Sequence, residues 1–196
     1  MKKDFNIILS GVGGQGIITL TRTLAEASLI ERRDVKTSEL HGLSQRGGSV
    51  ETHIRFNREI YSPLIKQGGA DLIICLEAQE ALNVCRYASK KETIFLIDDF
   101  IKPVFGVKQT PSSEKIKEEI KKFSKKIFWV PATKIVEKET GNPVLSGIYL
   151  LGYAVFKNLI PLKENSISRA IKNVLPKKYW DLNLKTFSSA KREKEK

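Results

Sequence analysis

Two glycine-rich stretches hold the residue types that could do chemistry. The first, Gly11-Val12-Gly13-Gly14-Gln15-Gly16, has the Gly-x-Gly-x-x-Gly spacing and follows a short apolar run, Phe5 to Ser10. Such a loop lets backbone N–H groups approach an anion at the positive end of the helix it opens. The same spacing also serves a tight turn that packs helix on strand with no ligand, and the Gln15 amide can bond either a ligand or a neighbouring loop. The second stretch, His41-Gly42-Leu43-Ser44-Gln45-Arg46-Gly47-Gly48-Ser49, sets His, Gln, Arg and Ser among three glycines. Arg46 offers a rigid two-pronged donor for phosphate or carboxylate. Glu39 stands about where an acid reads ribose in a dinucleotide-binding domain.

These loops need elements to position them. Phe5–Ser10 reads as a buried strand, and Ile17 to Ile30 as a helix with Ile17, Leu20, Leu24 and Ala27 on one face. A strand through residues 34–38 completes a βαβ unit, which belongs in a parallel sheet. Ligand-binding loops lie at the carboxyl ends of such strands, so His41–Ser49 should approach Gly11–Gly16. Residues 49–56 alternate, with Val50, Thr52, Ile54 and Phe56 on one side, and Glu51, His53 and Arg55 on the other. That pattern predicts a half-exposed strand whose polar side meets solvent or a partner.

Residues 70–76, 93–97 and 127–130 read as further strands, and 77–88, 113–126 and 164–174 as helices. In the lysine-rich helix from Ser113, the inward residues are Ile116, Ile120, Phe123 and Ile127. Asn142 caps another helix that opens on Pro143. Gly147 and Gly152 inside it predict close backbone packing. The fold class expected is α/β: a Rossmann-like, three-layer, mostly parallel sheet with helices on both faces. One domain should occupy residues 1–180, with a charged, partly disordered tail over 181–196.

Composition narrows the function classes. The 196 residues carry 34 Lys+Arg against 22 Asp+Glu, a formal net charge of +12. Residues 1–100 hold 13 basic and 13 acidic side chains, so the surplus sits in 101–196, with 34 − 13 = 21 basic and 22 − 13 = 9 acidic. Nineteen of those 21 are Lys. Such a coat describes a solvated surface, suited to steering an acidic partner, better than a nucleic-acid footprint, which favours Arg. No apolar run reaches the roughly 20 residues that span a bilayer, and the start lacks a signal-peptide stretch. Cys75 and Cys85, without CxxC spacing, fit a cytoplasmic chain holding no iron–sulfur cluster of its own. Neither His41 nor His53 has partners at metal-site spacing, and no nucleophile–base pair stands out.

GVGGQG in the first βα turn followed by ELHGLSQRGGSVETHIR resembles the gamma-type subunit of the 2-oxoacid:ferredoxin oxidoreductases, and most of all its counterpart in the indolepyruvate branch. Ser62-Pro63-Leu64-Ile65, Ala70-Asp71-Leu72-Ile73 into Glu77-Ala78, and Asn142-Pro143 share the likeness, which covers most of residues 5–175. The resemblance implies a subunit and not a complete enzyme, with a fold like domain III of pyruvate–ferredoxin oxidoreductase. Thiamine diphosphate, Mg2+ and [4Fe–4S] clusters would lie in a large alpha subunit, coenzyme A would be the co-substrate, and ferredoxin the electron acceptor. A heterodimer or paired heterotetramer would follow, with neither nucleic acid nor membrane as partner. The products would be aryl-acetyl-CoA, carbon dioxide and reduced ferredoxin. Gly11, Gly13, Gly14, Gln15 and Gly16, with Glu39, His41, Gln45, Arg46, Gly47, Gly48 and Ser49, form the candidate binding set, either admitting coenzyme A or holding the subunit interface. Pyruvate and other 2-oxoacids remain open as substrates. A different class, a stand-alone NAD- or FAD-binding protein using Gly11–Gly16 and Glu39, competes with this reading.

Overall fold

The computed structural model describes residues 4–42, 47–102 and 111–194. Its centre is a six-stranded sheet in the order β2-β3-β1-β4-β5-β6. The strands are β1 (Phe5–Val12), β2 (Asp34–His41), β3 (Ser49–Asn57), β4 (Leu72–Cys75), β5 (Ile94–Asp98) and β6 (Lys126–Val130). β1, β4, β5 and β6 pair in parallel, whereas β3 runs antiparallel to both β1 and β2. Five strands therefore share one direction and β3 opposes them, which fits a mostly parallel sheet.

Helices cover both faces. On one side lie α1 (Ile17–Ile30), α4 (Ala132–Thr140), α5 (Ser146–Phe156), α6 (Glu164–Val174) and α7 (Trp180–Ser189). On the other lie α2 (Glu80–Val84), a 3-10 turn at Cys85–Tyr87, and α3 (Ser113–Lys121). The continuous apolar runs of β1, β4 and β5 follow from this sandwiching, because strands covered on both faces have no polar side to show. α5 is buried almost all round, wedged between α4 and α7.

Four expectations need correction. First, β2 is parallel to β1 but does not adjoin it. A polar hairpin connection turns the chain back after β2, and β3 slots between the two. Second, β3 is therefore an interior strand, and its polar side is buried. Glu51 and His53 are 8% and 2% exposed, because the segment around Ile65 and the turn carrying Arg86 and Tyr87 cover them. Third, the charged tail expected from residue 181 is helical through Lys194, and Phe187 on α7 is fully buried against α5. Charges on the exposed face of α7 masked an apolar inner face in the composition. Phe123 also departs from its expected inward place, since α3 ends at Lys121 and leaves it 39% exposed.

Candidate functional site

The loops at the carboxyl ends of the parallel strands form one connected rim. Gly13 N–H donates to Gly48 O at 2.8 Å, so the two glycine stretches meet as their sequence positions required. Gln15 points inward and braces the rim. Its Oε1 accepts from Val12 N–H at 2.7 Å, and its Nε2 donates to Leu76 O at 2.9 Å, at the end of β4. The open choice for this amide thus resolves toward a neighbouring loop. A Cβ at Gly11 would lie 2.7 Å from Gln15 Oε1 and 3.1 Å from Leu76 Cβ, so Gly11 serves packing.

Gly14 differs. Its φ of +101° suits glycine, and nothing stands within 4 Å of where a Cβ would be. Gly16, with φ +82°, caps α1 in the left-handed region. The first-turn amides of α1 have no intrahelical acceptors and carry the positive end of the helix dipole.

A cleft of about 220 Å³ opens over this loop, lined by Gly13, Gly14 and Gln15 and closed by Phe100, Lys102, Thr133, Pro143 and Val144. Buried carboxylates fix its far wall. Glu77 accepts from the backbone N–H of Lys102 at 3.0 Å and of Glu80 at 2.9 Å, holding the segment after β5 against α2. Burial pushes the Glu77 carboxyl up, opposed by those backbone donors. Asp98, fully buried at the end of β5, accepts from Thr133 N–H and from Thr133 Oγ1 at 2.6 Å, which pins the start of α4. Burial pushes its carboxyl up to about 6, against hydrogen bonds from Thr133, Ala132 and Ser146.

That shift carries a sign. A folded-state value above the usual 3.8 means the contribution is fully present below 3.8 and is lost as pH rises through about 6. Acidifying from pH 7 to pH 5 should therefore stabilise the parent relative to Asp98→Asn by about 1.3 kcal/mol, about one pKa unit at roughly 1.4 kcal/mol each, the rest returning only as pH falls toward 3.8. Denaturant titrations of both chains across that window measure it, and parallel slopes would remove Asp98 as the cause.

Val144, half-exposed, separates the cleft from a second hollow of about 290 Å³, whose walls include Gly16, Thr19, Leu175, Tyr179 and Leu182. One side of Val144 therefore offers amides and a lysine, and the other an apolar and aromatic surface. Phe100, Lys102, Thr133 and Val144 were not singled out from sequence. The rule that ligands sit at the carboxyl ends of parallel strands, applied to β5 and β6 as well as β1, points to the first three.

Other sequence candidates fall out differently. Ser49 Oγ donates to Glu80 Oε2, so its hydroxyl ties the second loop to α2. Gly47 sits at φ +78° in that loop. His41 ends β2, its backbone paired with Val50. Gln45 and Arg46 lie outside the described residues. Glu39 is exposed and pairs with Thr52, which in turn pairs with Leu9. It stands two strand spacings from β1, about 10 Å to the side, and level with Leu9, roughly 13 Å along the strand from Gly13. The intercalated β3 thus keeps Glu39 from the place a ribose acid takes. Among the described residues no group of three or more His, Cys, Asp or Glu could hold a metal ion, and no helix is long and apolar enough to cross a membrane.

Comparison with known proteins places this geometry. The family model for pyruvate ferredoxin/flavodoxin oxidoreductase matches residues 6–193. The indolepyruvate oxidoreductase subunit IorB of Pyrococcus horikoshii is 34% identical over 189 residues, covering 94% of this chain and 93% of the relative. The crystal structure of a keto/oxoacid ferredoxin oxidoreductase gamma subunit from Geobacter sulfurreducens superposes with a TM-score of 0.71 at 18% identity, covering 96% of this chain and 97% of that one. A 2-oxoglutarate:ferredoxin oxidoreductase from Magnetococcus marinus, with 2-oxoglutarate, coenzyme A and succinyl-CoA bound, superposes with a TM-score of 0.72 at 20% identity. There the match covers 98% of this chain but 31% of the other, so the same fold recurs as one part of a longer chain.

Proposed function

Because the chain belongs to the pyruvate ferredoxin/flavodoxin oxidoreductase family, as a small subunit of a 2-oxoacid:ferredoxin oxidoreductase, we propose that its glycine-lined cleft receives the phosphates of coenzyme A in an enzyme acting on indolepyruvate. The observation that carries the reading is the junction of Gly13 with Gly48 beneath the cleft bearing Lys102. Backbone amides, a helix N-terminus and one lysine suit a diphosphate, and the apolar hollow beyond Val144 suits the rest of a nucleotide-bearing ligand. Gln45 and Arg46 belong to the same proposal, as further donors from the second loop.

Indolepyruvate is favoured by the 34% identity to the indolepyruvate subunit across nearly the whole chain. The reaction converts an aryl pyruvate, coenzyme A and oxidised ferredoxin into aryl-acetyl-CoA, carbon dioxide and reduced ferredoxin. A large alpha subunit holds the thiamine diphosphate, Mg2+ and [4Fe–4S] clusters, in a heterodimer or paired heterotetramer of the cytoplasm. This chain's two cysteines do not suit cluster ligation, which takes four thiolates. Both are buried, and burial pushes the Cys75 thiol well up and that of Cys85 to about 12. A stand-alone dinucleotide-binding protein is disfavoured by the displaced Glu39.

Co-expression with the large subunit and an assay of coenzyme-A-dependent viologen reduction, using indolepyruvate, pyruvate and 2-oxoglutarate in turn, tests the reading. Lys102→Ala should raise the KM for coenzyme A about tenfold, the effect of one charge-assisted contact, while kcat stays within about twofold. Arg46→Ala should act in the same direction. An unchanged KM in an intact complex would leave the two loops as an interface only.

A further inference from the structure

At the opposite end of the strands, about 25 Å from the glycine loops by strand length, lies a wide depression of about 1240 Å³. The turn after α1, the segment after β3 and the first turns of α6 enclose it. Nine of the 34 basic residues are arginines, and four of the nine, Arg32, Arg33, Arg58 and Arg169, line this one depression together with Lys163. In a chain with 25 lysines to 9 arginines, that concentration needs a physical account.

Neighbouring carboxylates do not neutralise it. Glu31 is taken by Arg33 Nη2 at 2.9 Å and by Lys163 N–H at 2.7 Å, and Asp4 by Arg55 at 3.0 Å. Glu59 engages the hydroxyl of Tyr61. Among the described residues, no ion pair is closed by Arg32, Arg58, Lys163 or Arg169. At the rim, Tyr61 is 83% exposed. Unpaired arginines beside an exposed tyrosine have the composition of a protein interface, where planar guanidinium groups meet carboxylates two-pronged.

We infer that this depression is a docking surface for an acidic polypeptide, with Arg32, Arg58 and Arg169 engaging its carboxylates and Tyr61 packing beside them. A polypeptide fits better than a nucleic acid. The carboxylates of Asp4, Glu31 and Glu59 interleave with the cations, so the depression offers separate two-pronged donors and not the continuous basic track that a phosphate backbone follows. The surface is independent of the coenzyme A cleft, so either reading can fail alone.

Fluorescence anisotropy of a labelled decaglutamate peptide on the full chain tests it. Arg32→Glu, Arg58→Glu and Arg169→Glu together should weaken binding roughly 30-fold or more, and the glutamine triple variant by less. Lys115→Glu and Lys121→Glu on α3, with Lys125→Glu in the turn after it, change the net charge equally and should weaken it less than about threefold. Equal losses in the two glutamate triples would reduce the effect to overall charge and overturn the inference. So would no peptide binding by the parent, or duplex RNA that binds more tightly than the peptide and is lost with the same arginines.

Discussion

Replacing Glu51 with alanine should lower unfolding stability by about 4 kcal/mol, the sum for two buried donors stranded at about 1–3 kcal/mol each, although the residue sits on a strand whose alternation marks it for solvent. Glu51 Oε1 accepts from Tyr87 O–H at 2.7 Å and from His53 Nε2–H at 2.9 Å, and Oε2 accepts from Arg86 Nη2 at 2.9 Å. Ile65 N–H donates to His53 Nδ1 at 3.0 Å, which fixes the tautomer that faces Glu51. Truncation leaves two buried donors without acceptors, each costing about 1–3 kcal/mol. Arg86, with half its side chain exposed, adds little.

Burial works against the charge on Glu51, yet the donors from His53 and Tyr87 and the Arg86 guanidinium hold its carboxyl below the ordinary range. The stabilisation is thus present above the usual 4.5 and is lost as pH falls through the lower folded value. Glu51→Gln should flatten that acid limb at a smaller cost. A chain of this size loses about 2–4 °C per kcal/mol, so Glu51→Ala should melt roughly 8–16 °C lower. A melting point within 2 °C of the parent would sink the network as a stabilising unit.

The same cluster shows where sequence reasoning reaches its edge. Apolar runs such as Ile7-Ile8-Leu9 and Leu72-Ile73-Ile74 announce buried strands by local composition alone, and the Gly-x-Gly-x-x-Gly turn announces the first helix. The approach of the second loop to the first also follows from local information, because both sit at carboxyl ends of strands running the same way. The place of β3 does not. Whether a strand of alternating polarity lies at an edge or inside depends on what later covers it, and Ile65, Arg86 and Tyr87 come 14 to 36 residues after Glu51. Glu39 fails as a ribose reader for the same reason. Its position along β2 is right, but the strand's neighbour is set by a hairpin that local propensity cannot count. Lys102 is legible only in part: its place after β5 puts it at a carboxyl end, but a lone lysine there looks like any other, and the backbone bond from Lys102 to Glu77 is what holds its segment at the cleft.

Gly152→Val should cost more still, and Gly152→Ala decides why. On intrinsic preference, alanine in the middle of a helix stabilises by about 1 kcal/mol relative to glycine. A Cβ at Gly152, however, would lie 2.3 Å from the carbonyl oxygen of Phe187 and 3.0 Å from Ala190 Cβ. A backbone carbonyl cannot rotate away as a side-chain tip can, so α7 must lift from α5. The ring of Phe187 then loses its seat against Phe156, 5.2 Å away between centroids. Overpacking of this kind costs about 1–3 kcal/mol, occasionally more, so Gly152→Ala should lose about 2 kcal/mol net and Gly152→Val at least 4. Gly147→Ala provides the contrast, because its nearest neighbours would be leucine methyl groups at 3.4–3.5 Å, an ordinary contact. It should be neutral or slightly stabilising. Thermal melts of the three variants separate packing from propensity, and a Gly152→Ala chain as stable as Gly147→Ala would refute the close approach. The consequence reaches the site, since α7 and the turn before it carry Leu182 and Tyr179 to the hollow beside the cleft. The segment that reads in sequence as a tail is thus a wall of the candidate site, held there because residue 152 has no side chain.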